Sequence, residues 1–184
     1  MTTISRAVAR AKLAADLKEV LVGTNLPLAD FYAYRVSAPV PAPLGLITSA
    51  ATQQDATTAN CQHTTFTYHV WLIAPYSDVH LGGTWTEEDA ENALDSAEAL
   101  VRNYVKNNRH LGGYWDNIEY AGPSDADLDF NGDDGLAYRA ERITLNVLIT
   151  FSILKRIVMG ETTPVVTPTP VSYTHLTLPT KRIV

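Results

Sequence analysis

The sequence predicts an α+β fold: a two-layer sandwich whose mostly antiparallel sheet is packed by one long amphipathic helix and an N-terminal helix. Three observations predict it. TTFTYHVWLIAP alternates with period two, as a strand does. The segment from Thr86 carries an apolar stripe with helical spacing. Strand-like runs gather before and after that helix instead of alternating regularly with helices, which disfavours a parallel α/β sheet.

The first helix is expected from Thr3 to Leu21. Ile4, Val8, Leu13, Leu17, Val20 and Leu21 recur on one side, Thr2 or Thr3 is placed to cap the start, and Gly23 sits where a C-cap belongs. FYAYRV (Phe31 to Val36) is the next strand candidate. Pro39, Pro41 and Pro43 then interrupt regular structure, because proline has no N–H for a ladder. GLITSA (Gly45 to Ala50) resumes as a strand. The thirteen residues ATQQDATTANCQH are polar and small and read as an exposed loop.

In the clearest strand, Phe66, Tyr68, Val70 and Leu72 line one face; Thr65, Thr67, His69, Trp71 and Ile73 line the other. Neither face is strongly polar, so a central position is expected. The best helix opens with Thr86 and Asp89 at capping-box spacing, with Glu87 and Glu88 near the positive end of its dipole. Ala90, Ala93, Leu94, Ala97, Leu100, Val101, Tyr104 and Val105 form its stripe, and Leu111-Gly112-Gly113 stops it. YWDNIEY (Tyr114 to Tyr120) reads as a strand. The last strand alternates through Ile143, Leu145, Val147, Ile149 and Phe151, with Arg142, Thr144 and Asn146 opposite. Trp71, Trp85 and Trp115 read as core and edge packing.

Composition narrows the function classes. Hydrophobic residues are 46% and charged residues 18% of the 184, a globular balance. No apolar run approaches the roughly 20 residues that span a bilayer, so no membrane role is expected. The N-terminus, broken by Arg6, Arg10, Lys12 and Asp16, does not read as a secretory signal. A single cysteine, Cys61, rules out an internal disulfide and a cysteine-rich metal site. A net charge of −6 is the wrong sign for gripping nucleic acid by its phosphates. The expectation is an acidic, soluble protein made inside the cell.

Residues 1–160 read as one domain and 161–170, with Pro164, Pro168 and Pro170, as an extended linker. VSYTHLTLPT, Val171 to Thr180, resembles the in-frame translation of a transposase-type sequencing adapter. That resemblance implies that residues 171–184 are a disordered artefact and that the natural C-terminus was lost near Pro170. Without Lys181 and Arg182 the remaining chain is more acidic still.

The acidic stretch SDADLDFNGDDG (Ser124 to Gly135) is the most suggestive constellation. Asp127, Asp129, Asn131 and Gly132 match positions one, three, five and six of a calcium loop. The twelfth position, which needs a bidentate Glu, is Tyr138, and the flanks read as strands. The alternative is a solvated hairpin loop with Asn131-Gly132 and Asp134-Gly135 as its turn residues. His63, His69, His80 and His110 are scattered and show no metal-ligand spacing. Cys61, two residues from His63, reads as a spare thiol. No nucleophile elbow, phosphate-cradling loop or dinucleotide fingerprint occurs. No cofactor or enzymatic activity is expected. Tyr114 and Trp115, just after two glycines, are candidate anchors for a partner surface.

From Ala29 to Phe151 these features come in a recognisable order. FYAYRV and the proline turn precede TFTYHVWLIAP, the helix TEEDAENALDSAEALVRNYVKNN and its LGG break; WDNIEYAGPSD and DGLAYRAERITLNVLITF follow. In this order the chain resembles the tail terminator, or tail completion, proteins of long-tailed phages. The resemblance implies a structural virion protein of the tail and neck, assembled in the host cytoplasm. Its subunits would close into a ring, usually a hexamer, that caps the tail tube protein and meets the head–tail connector protein. DNA would pass through without being specifically bound. A head–tail connector protein of similar build gives nearly the same pattern.

Between Arg109 and Arg139 there is no Lys or Arg, and seven acids occur: Asp116, Glu119, Asp125, Asp127, Asp129, Asp133 and Asp134. Acidic walls repel phosphate, so the segment from Asp125 to Asp134 is expected to face the lumen or the tube. Two other classes compete: a calcium-stabilised binding module, and a small hydrolase or transferase using His63 or His69.

Overall fold

The computed structural model describes residues 4–36, 42–58, 61–76, 86–131 and 137–152. Its elements in chain order are α1 (Arg6–Leu21), β1 (Asp30–Tyr32), β2 (Leu44–Thr58), β3 (Cys61–Pro75), α2 (Glu87–Asn107), β4 (Asn117–Tyr120), β5 (Asp125–Asn131) and β6 (Ala137–Ser152). The fold is α+β. Among the described residues six strands form one sheet in the order β1-β2-β3-β6-β4, with β5 also on β6. Among the described strand pairs only β1–β2 is parallel.

β3 is central, as its two unpolarised faces predict: β2 flanks it on one side and β6 on the other. The outer edge of β6 is shared. β4 takes Leu145 to Leu148 and β5 takes Ala137 to Arg142.

Both helices cover the same face. Ala9, Leu13, Ala14, Leu17 and Leu21 of α1 and Ala90, Leu94, Ala97, Val101, Tyr104 and Val105 of α2 are buried. They meet Phe66, Tyr68, Val70 and Leu72 of β3 and Ile143, Leu145, Val147 and Ile149 of β6 in one core. Full burial of each leucine, isoleucine or valine among them stabilises by about 1.5–3 kcal/mol. The stripe expected on α2 is the one that packs. On α1 the register differs, because Val8 is 47% exposed and Ala9 takes the inward place. The opposite sheet face holds a small cluster of Leu44, Leu46, Ile73, Tyr138 and Ala140.

The capping box of α2 is present in full: Asp89 N–H donates to Thr86 Oγ1, and Thr86 N–H donates back to Asp89 Oδ2. The cap of α1 is Ser5, whose hydroxyl accepts from Val8 N–H, rather than Thr2 or Thr3. Its C-cap is Val22, and the left-handed residue of the following turn is Asn25 (φ 67°), not Gly23.

Four segments differ from the sequence reading. FYAYRV contributes only Phe31 and Tyr32 to β1. The polar residues 51–63 are not a loop: nearly all of them form the far end of the β2–β3 hairpin, Gln53 opposite Thr65 and Asp55 opposite His63. They are polar because Ala51 to Asp55 have no layer over them and are exposed on the strand. Polarity there reports missing burial, not missing strand. Likewise Asp125 to Asn131, expected in a loop, is strand β5 paired with β6. Its carboxylates suit an edge strand, where charge discourages stray pairing. Of YWDNIEY only Asn117–Tyr120 is strand, because Leu111 and Trp115 first close a tight turn through Gly113 (φ 86°). The linker, the adapter-like segment, Trp85 and His80 lie outside the described residues.

Candidate interaction surfaces

The helix-free face of the sheet carries a ladder of polar pairs between directly opposed residues of β3 and β6. His63 Nδ1 lies 3.0 Å from Thr150 Oγ1, Thr67 Oγ1 donates to Asn146 Oδ1 at 2.9 Å, and His69 Nδ1 lies 3.2 Å from Thr144 Oγ1. The strand period places these side chains away from the helices, and their register places them opposite one another. Beyond them the Arg142 guanidinium lies 5.6 Å over the Trp71 ring and donates from Nε to Asp125 Oδ2 at 3.0 Å. Trp71, Arg142 and Asp125 thus form a row across β3, β6 and β5. Burial, with Arg142 nearby, holds the His69 imidazole below its ordinary value, and Asp125 opposes this weakly. His69 is therefore neutral at pH 7, a hydrogen-bonding group rather than a cation.

On the helix side, Arg139 ties β6 to α2 by ion pairs to Glu91 and, at 3.4 Å, to Glu87. Glu141, 6% exposed, points the same way. Burial pushes its carboxyl up and the Ser124 hydrogen bond pulls it down; Glu98 and Asp95 add to the rise. Between the helices, a depression of about 340 Å³ is lined by Lys12, Asp16, Glu19, Tyr104, Asn108 and Leu111 among others. Tyr104 Oη donates to Asp16 Oδ2 at 2.6 Å and Lys12 Nζ to Asp16 Oδ1 at 2.5 Å, so Asp16 is already occupied.

The structure places the sequence-derived candidates unevenly. Asp125 is exposed and paired with Arg142. Asp127, Asp129 and Asn131 belong to the backbone of β5, and Asp133 and Asp134 lie outside the described residues. A strand paired along β6 is not the helix-flanked loop of an EF-hand. Among the described residues no three His, Cys, Asp or Glu side chains gather around a point that would hold a metal ion. Tyr114 is 37% exposed, with Lys12 Nζ 5.5 Å from its ring centroid, and remains a surface residue. Trp115 does not. It is 3% exposed and its indole N–H donates to Asn108 O at 3.0 Å, closing the α2 terminus onto β4. The glycines before it serve that turn instead of lifting the ring to a partner.

The row through Arg142 was half legible, since alternation along β6 puts Arg142 opposite Ile143. Its partners were not, because they depend on strand order. Glu141 carries the same parity as Ile143 and so belonged to the buried face from the outset. No helix among the described residues is long and apolar enough to cross a membrane. Comparison with known proteins finds no matching family model and no matching curated protein.

Proposed function

We propose that this chain is a structural virion protein that caps a phage tail tube as a ring and forms part of the head–tail junction. The observation that carries the reading is the one-sided charge of the sequence from His110 to Tyr138. This segment has no Lys or Arg, and its strands β4 and β5 line a single edge of the sheet. A protein that encircles passing DNA without holding it needs such a surface, because carboxylates repel the phosphate backbone. The sheet, helix-covered on one face and bearing a polar ladder beside a small apolar cluster on the other, has unlike surfaces of the kind a head-to-tail ring uses.

Mass in solution with negative-stain imaging tests the reading. A closed ring of about six subunits that binds the ends of tail tubes is the expected result. Replacing Asp125, Asp127 and Asp129 by Lys should impair tail joining or DNA ejection. Unchanged joining and ejection would remove the lumen assignment. If the protein instead stays monomeric beside tubes and melts higher only with added calcium, the calcium-stabilised binding module takes its place. A ring that binds the head vertex and ignores tubes would point to a head–tail connector protein.

A further inference from the structure

We propose that the run following β6, Ile153 to Val158 (ILKRIV), adds as a strand to the outer edge of β2 in a second copy of this chain. The inference goes beyond the ring reading above and stands on the sheet itself.

The acceptor is an open edge. β1 pairs with β2 only from Leu44 to Leu46, and from Ile47 to Thr58 no backbone hydrogen bond from another described residue reaches the outer side of β2. Within that length the register with β3 is unbroken from Ala51 to Ala56, and Ala51 to Asp55 are exposed. The sequence there, ATQQDA, has neither Lys nor Pro to blunt the edge and only one acid, Asp55. The other described edges offer less. β1 is three residues long. β4 is closed off, because Ile118 N–H donates to Arg109 O at 3.0 Å. β5 keeps an unbroken register with β6 only from Leu128 to Asn131. An unpaired edge presents alternate N–H and C=O groups and is a template for a further strand.

The occupant follows from where the chain leaves the sheet. Ser152, the last residue of β6, is opposite Cys61, the first of β3, and Cys61 is also opposite Thr58 at the end of β2. The β2–β3 hairpin ends at this tip, so β3 has no partner left for the residues after Ser152. Those residues, which lie outside the described ones, begin ILKRIVMG. Ile153, Ile157 and Val158 are strong strand formers, and no proline occurs before Pro164.

The chain's own β2 edge is the poorer acceptor. Reaching it from β6 means crossing the ends of β3 and β2, three strand spacings or about 14 Å, which consumes at least about four extended residues. ILKR would be spent on the crossing, leaving Gly160 and Pro164 for the strand itself. An edge in another copy takes the run from Ile153 onward without any crossing.

The test mixes two full-length proteins that both carry Cys61→Ser, one with Gln54→Cys on β2 and the other with Lys155→Cys, and treats them with a short bis-maleimide at micromolar concentration. A covalent dimer from the mixture, and monomers from either protein alone, is the expected result. If the mixture gives no dimer, the proposal is overturned; an internally linked monomer from the double variant would then put the strand on its own β2. Linked dimers from either protein alone would mean that like segments meet, and would overturn it as well. In a second arm Leu154→Pro with Ile157→Pro is added to the Lys155→Cys protein. The two positions have opposite parity, so one of the lost N–H groups faces the acceptor whichever way the strand lies, and neither position belongs to the described core. The yield of linked dimer should fall roughly tenfold or more, and an unchanged yield would overturn strand pairing. The ring is judged separately: rings on the grid without a crosslink keep the ring reading and remove this contact, whereas crosslinked filaments keep the contact and remove the ring.

Discussion

The ring of Phe31 occupies the space in which a side chain on Gly45 would begin. A Cβ built there would stand 2.3 Å from Phe31 Cδ2 and 2.6 Å from Cε2, far inside non-bonded contact distance. The two residues are register partners in the parallel β1–β2 pair, and Leu28 closes the other side at 3.0 Å. Gly45→Ala should therefore destabilise by about 1–3 kcal/mol, the usual cost of overpacking. Phe31→Leu in the same chain should recover part of that loss. Urea denaturation of both variants and the double variant checks the coupling; strict additivity would deny the contact.

Tyr104 and Asp16 clamp the two helices together through a 2.6 Å hydrogen bond to a carboxylate. Tyr104→Phe keeps the packing and removes the hydroxyl, so it should cost about 1.5–3 kcal/mol. Asp16→Asn, which retains an acceptor but loses the charge, should cost less. Thermal melts of the two variants side by side give the comparison.

Glu141 links stability to pH in the direction opposite to most carboxylates. Its native carboxyl titrates above the ordinary 4.5 because burial disfavours the charge. The native state then holds this proton more tightly than the unfolded chain does. The contribution is favourable below about 4.5 and is lost as pH rises through the raised native value. Glu141→Gln should raise the melting temperature at pH 7 and leave it little changed near pH 4. A variant less stable than wild type at pH 7 would refute this assignment.

His69 behaves in the opposite sense. Its native value lies below 6.5, so the unfolded chain binds the proton more readily and stability falls as pH drops from 6.5 toward the native value. Arg142→Gln removes the neighbouring cation and leaves Asp125 beside the ring. The His69 titration, followed by NMR, should move upward. No shift would mean that burial sets it without Arg142, and a downward shift would refute the assignment.

The parity of β6 shows how much of this was readable. Odd residues from Ile143 to Ile149 enter the core, and even residues from Arg142 to Thr150 face away from the helices, as alternation implies. The same holds for α2, whose cap and stripe are local patterns. What escaped was nonlocal or masked by composition. Tyr104 and Asp16 are 88 residues apart, so nothing in either neighbourhood announces their bond. The polar half of β2 reads as a loop because strand signals rest largely on apolar alternation, and an uncovered strand needs none. Trp115 reads equally as core packing and as a partner anchor, because two glycines before an aromatic describe a tight turn whether the ring goes in or out; the structure selects the core. Of the candidate acids, Asp125 alone has a described side chain, and it is neutralised by Arg142 rather than standing as free charge.

The far end of the β2–β3 hairpin gives one strand two different lives. Along β3, Gln62 is exposed while Tyr68, Val70, Leu72 and Ala74 are wholly buried, though all belong to one unbroken ladder. Amide protons near Gln62 will trade for deuterium within the shortest labelling times, and those from Tyr68 to Ala74 only when the whole molecule opens. Uptake should therefore climb steadily from the helix-clad root to the bare tip, making β3 a built-in ruler of where cooperative protection ends.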